Sequence, residues 1–171
     1  MSNNPAGLLA VFAYVGTVLA SVPVAVVALL LRRITPSFRE ALAYSLGGGF
    51  ALFTVVVLAL AVAVDPGAGG TLFVTGVVAV VVLAVLPLAI GRAVVERTAD
   101  LDPDRALRWA TAGWPPAMIL SLIVFVAPGG PARYNVTFLS GVEAVVAGGI
   151  LVAVVLLGPG LVGTALARAF E

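Results

Sequence analysis

Residues 7–31 read GLLAVFAYVGTVLASVPVAVVALLL without a single charge, and Arg32 and Arg33 follow at once. At 1.5 Å per residue, a helix of this length crosses the ~30 Å hydrocarbon layer of a bilayer. Strands of a membrane β-barrel do not read this way, because they run about ten residues with polar groups at alternate positions. A cleaved signal peptide fits no better, since it carries basic residues ahead of a shorter apolar core. The stretch is therefore expected to stay as a first membrane helix.

Four more runs repeat the pattern, at about residues 42–64, 72–91, 110–127 and 136–157. Of the 171 residues 62% are hydrophobic and 10% charged, whereas a soluble domain averages about 45–50% and about 25%. The mean hydropathy is +1.21. The predicted fold is all-α: a single polytopic membrane domain over 1–171, a bundle of five transmembrane helices with short loops. Gly158-Pro159-Gly160 is expected to interrupt the last span, with residues 159–170 forming a short interfacial helix; the alternative is one long tilted helix.

The connections are rich in turn formers. Asp65-Pro66-Gly67-Ala68-Gly69-Gly70 joins the second and third spans, and residues 128–135 join the fourth and fifth. Ser37, with Glu40 three residues on, has the spacing of a capping box for the second helix. Asp102 ahead of Pro103 reads as the cap of another, with Asp104 in its first turn. Asp100, Asp102 and Asp104 alternate as in a calcium loop, but Arg105 stands where glycine is required and Thr111 where glutamate is. No metal site is expected.

Arginine sets the orientation. With the N-terminus outside, Arg32, Arg33, Arg39, Arg92, Arg97, Arg105, Arg108 and Arg168 fall on the cytoplasmic side and Arg133 alone outside. That bias predicts a multi-pass protein of the cell membrane, N-out and C-in. Trp109 and Trp114 fall at the inner end of the fourth span, where aromatic belts form.

The sequence lacks Lys, His and Cys. This excludes disulfides, thiolate metal sites and iron–sulfur clusters, Schiff-base chemistry and Ser–His–Asp catalysis. A net charge of +1 without an exposed basic run gives nucleic acid no purchase. No enzyme activity and no cofactor are expected. The remaining catalytic reading, a lipid head-group enzyme built on Asp100 and Asp102, lacks a base and a pocket.

Within a bilayer, helices associate by close approach of small residues. Ser140, Ala144 and Gly148 recur every four residues in the fifth span, as do Gly16 and Ala20 in the first and Ser45 and Gly49 in the second. These are the candidate packing faces. Pro23, Pro87, Pro115 and Pro116 lie inside spans and should kink them.

Glu143 is the one ionisable group expected inside a span, on the order of 10 Å from its outer end. Such a residue points to a bundle interior or to water. With Ser140 beside it, Glu143 is the candidate proton or cation site. Arg133, Tyr134 and Asn135 form the candidate external polar patch. Asn135-Val136-Thr137 is a glycosylation sequon in form, but it lies too near the membrane surface to weigh as one. The leading functional expectation is an accessory or scaffold subunit, or a homo-oligomer, assembled by helix packing in the lipid bilayer. The alternative is a proton or small-cation channel or transporter using Glu143.

Overall fold

The structure, a computed structural model, describes residues 5–63, 65–126 and 142–170, apart from the side chains of residues 5–8, 143 and 144. It is an all-α bundle without strands among the described residues. The elements are α1 (Pro5–Leu31), α2 (Phe38–Ala63), α3 (Pro66–Val80), a π-helical turn (Val81–Val85), α4 (Leu86–Ala99), α5 (Pro103–Val126) and α6 (Val142–Phe170). α3, the π turn and α4 run on as one helix, so among the described residues five helical segments are long and apolar enough to cross a membrane. The protein is a multi-pass membrane protein.

Local capping explains where the helices start and stop. The Asp65 carboxylate accepts from the backbone of Gly67 (3.2 Å) and Ala68 (3.0 Å), and Pro66 occupies the first turn. These are the groups an N-terminus must satisfy. The third span thus begins at Pro66, not at residue 72, and the glycines expected in a turn belong to its first two turns. At its other end the helix continues past residue 91 to Ala99 and stops at Asp100, whose φ of 51° is left-handed. Asp102 then caps α5 by accepting from the backbone N–H groups of Asp104 and Arg105, both at 3.1 Å.

Two expectations are corrected. Gly158-Pro159-Gly160 does not end a span: α6 is continuous from Val142 to Phe170, with Pro159 inside it. Proline removes one helix hydrogen bond, but tertiary contact holds this segment, which is buried against α4 and α5. Trp114 is no interfacial anchor. It is 1% exposed, at the centre of a core with Phe38, Leu42, Leu88, Leu107 and Met118. Trp109 is the outer of the pair and stacks on Phe170.

Packing is uneven. Contact is most extensive between α5 and α6 and next between α4 and α6, whereas α2 and α3 meet far less of the bundle. In the most apolar stretch of α5, 44% is buried, against 6% in α2. Leu52, Val55, Leu58, Val62, Val74 and Val78 all face outward. A surface of this kind would drive aggregation in water, and hydrocarbon is its solvent.

Candidate functional site

All described acidic and basic side chains lie in connections or within the outer two turns of a helix. Most gather at one end, and Asp104 ties that end together. Its carboxylate accepts from the backbone N–H of Phe38 (2.8 and 3.0 Å) and of Arg39 (3.3 Å), so the first turn of α2 is capped from another helix. Ser37 adds its hydroxyl to the N–H of Glu40 at 3.2 Å. Arg32 approaches the same carboxylate at 3.7 Å and donates to the Thr35 carbonyl at 2.9 Å. On the opposite flank, Arg168 donates to the carbonyl of Thr98 at 3.1 Å, and the Thr98 and Thr164 hydroxyls share a hydrogen bond of 2.9 Å. The connections after α1 and α4 and the end of α6 therefore meet on one face, which carries the eight arginines grouped by the sequence reading. The ion pairs Arg92–Glu96 (3.4 Å) and Arg105–Asp102 (3.5 Å) are half-exposed neighbours on single helices and add little stability.

Inside the bundle the polar groups serve backbone carbonyls. Ser45 donates to the Val24 carbonyl at 2.8 Å and joins α2 to α1. Ser21 donates to Val18 and Ser121 to Met118 on their own helices, and Tyr14 meets Ser121 at 2.6 Å. The Trp114 contact has a specific cause. Pro87 has no N–H, so the carbonyl four residues back, on Leu83, loses its helical donor. Trp114 Nε1–H donates to that carbonyl at 3.1 Å, and the ladder passes through the π turn, with the Leu86 N–H bonded to Val81. π turns are rare and concentrate at functional sites.

Above this turn a cavity of about 340 Å³ opens between α1, α2 and α3. Phe12, Gly16, Gly49, Phe53 and Val80 are among its walls, and Ala84 and Trp114 lie at one end. Thr17 and Thr75 also line it, but their hydroxyls turn back to the carbonyls of Ala13 and Thr71, both at 2.8 Å. No described group of three His, Cys, Asp or Glu residues could hold a metal.

The chain matches no family model, no curated protein and no solved structure.

Of the residues singled out from sequence, Ser140, Arg133, Tyr134 and Asn135 lie outside the described residues. Glu143 and Ala144 fall in the first turn of α6, and their side chains lie outside the described set as well. Ser45 and Gly49 do face α1: beyond the Ser45 hydrogen bond, a Cβ on Gly49 would stand 3.8 Å from Val24. Gly16 and Ala20 line the cavity. A Cβ on Gly16 or Gly148 would meet nothing within 4 Å.

The close helix approaches use other glycines. A Cβ on Gly113 would stand 2.5 Å from the backbone of Gly163 and Pro159, one on Gly163 2.6 Å from the Trp109 carbonyl, and one on Gly160 2.7 Å from Val94. The signal for this junction was in the sequence. Ala106, Ala110, Gly113 and Ala117 on α5 recur every three or four residues, as do Gly160, Gly163 and Ala167 on α6.

Proposed function

We propose that the protein is a non-catalytic subunit of a membrane assembly, either a homo-oligomer or a complex with a larger partner, held by helix packing. The observation that carries this reading is the exposure of α2. Its most apolar stretch is 6% buried, and a Cβ on Gly47 or Gly48 would meet nothing within 4 Å. In lipid, small residues of this kind let a second helix approach closely. The described interior adds support, because its hydroxyls are engaged with carbonyls or with one another, Thr111 excepted, and no charged side chain lies at mid-depth. The eight arginines at one end favour that end as cytoplasmic, which puts the N-terminus outside.

The test is extraction of the assembly from native membrane into polymer-bounded lipid discs, followed by native mass measurement. The expected mass exceeds that of one 17.2 kDa chain, and Gly47→Ile and Gly48→Ile lower it. A single-chain mass, together with proton or cation flux in proteoliposomes that Glu143→Gln abolishes, would overturn the reading in favour of ion transport.

A further inference from the structure

We infer that the cavity between α1, α2 and α3 is a binding site for the hydrocarbon chain of a bilayer lipid. Its depth is right for one. Along α1 the lining runs from Leu9 to Val24 and along α2 from Leu46 to Phe53. At 1.5 Å per residue these stretches begin roughly 10 Å from the arginine end and reach toward the opposite leaflet, within the ~30 Å hydrocarbon layer.

The chemistry excludes water. A buried water needs two to four polar partners, and the lining hydroxyls of Thr17 and Thr75 are already turned to their own helices. The indole N–H of Trp114 is committed to Leu83. What remains is aliphatic, aromatic and glycine surface. An empty space of this size leaves the lining without dispersion partners on one side, and a methylene chain restores them.

Access is lateral. Phe12, Gly16, Ala20 and Gly49 line the cavity and are themselves exposed on the lipid-facing surface, so a chain enters sideways without a path through water. Gly16 and Gly49 hold the space open from two helices, and Gly76 leaves room for the Phe53 ring on a third. With about 30 Å³ per liquid water and a methylene of similar size, a volume of about 340 Å³ takes roughly eleven carbons. That is a large part of one acyl chain. The chain end would then rest near Trp114 and the π turn.

Trp114 supplies the readout. In a Trp109→Phe background it is the only tryptophan, and at 1% exposure it is screened from lipid outside the bundle. The protein is reconstituted in phosphatidylcholine vesicles whose chains are brominated near their ends, since bromine quenches indole emission at short range. Because lipid is the solvent, the site stays occupied, and Trp114 emission is expected to fall about twofold or more relative to unbrominated vesicles. Gly16→Phe and Ala20→Leu fill the cavity independently from α1, and either is expected to remove most of the quenching. If one variant folds poorly, the other carries the comparison. Unquenched Trp114 in the unfilled protein overturns the inference, as does quenching that a folded filling variant leaves unchanged. A helix of a second copy seated in the cavity would give the first of these results.

Discussion

Replacing Gly113 with alanine is expected to pry α5 from α6. The new Cβ would stand 2.5 Å from the Gly163 nitrogen, 2.5 Å from the Pro159 carbonyl oxygen and 3.0 Å from the Gly163 Cα. Non-bonded carbon contacts settle at about 3.5–4.0 Å, so the helices must separate by about 1 Å where they run closest. All three obstructing atoms are backbone, and no side chain can rotate away. Overpacking of this kind costs about 1–3 kcal/mol, and the rigidity of the partner sets it at the upper end. Alanine returns about 1 kcal/mol of helix propensity, which leaves a net loss of about 2 kcal/mol. Gly148→Ala is the control, because its Cβ would meet nothing within 4 Å; it keeps the propensity gain and is expected to stabilise by up to about 1 kcal/mol. Reversible unfolding in mixed detergent and SDS, followed by tryptophan emission and circular dichroism, reads both variants on one scale. If Gly113→Ala falls within about 0.5 kcal/mol of the parent, the range of an ordinary surface change, the helix contact reasoning is refuted.

The same titration checks three further side chains. Asp104→Ala removes the cap that α5 lends to α2 and is expected to cost about 1–2 kcal/mol, with Asp104→Asn recovering part of it. Trp114→Phe leaves the Leu83 carbonyl buried without its donor, for a loss of about 1–3 kcal/mol. Thr111 is buried and its hydroxyl has no partner among the described residues, so Thr111→Val is expected to be neutral or stabilising by up to about 1 kcal/mol. For orientation, single cysteines at Asp65 and Asp100 are expected to label with an impermeant thiol reagent from opposite sides of the membrane, residue 65 from outside.

The crossing segments were legible because composition and run length alone decide whether a helix is at home in hydrocarbon. Their ends were less so. Hydropathy marks the depth of the lipid, whereas helices end where backbone donors and acceptors find other partners. Asp65 and the left-handed Asp100 therefore bound the third crossing well outside the apolar run at 72–91. Asp102 and Ser37 were readable as caps from spacing. The capping of α2 by Asp104, 66 residues away from Phe38, was not, since no local pattern encodes an acceptor on another helix. Trp114 was misread for a related reason. Its position suggested an interface, but Pro87 had freed a buried carbonyl, and an indole N–H is the side-chain donor that brings the most apolar surface with it.

The small-residue faces show what a bilayer withholds from a sequence reader. In water, apolar residues mark the core because the alternative is exposure. In lipid a valine is equally comfortable on either side, so a glycine or alanine stripe on one helix says only that a neighbour could come close. The deciding feature is a matching stripe on a second helix. Ala110, Gly113 and Ala117 on α5 find theirs in Gly163 and Gly158 on α6, while Gly160 of α6 meets Gly91 and Val94 on α4, and the tight half of the bundle forms there. Gly16, Gly47, Gly48 and Gly148 find no atom within 4 Å. An unmatched stripe does not stay bare in a membrane, because the medium is itself made of chains and helices. Beside Gly16 the space is an apolar cavity between three helices, which favours a lipid tail. Along Gly47 and Gly48 the surface is an open helix face, which favours another helix. The two openings thus call for different occupants on geometry alone, and the brominated-lipid and native-mass experiments can fail independently of each other.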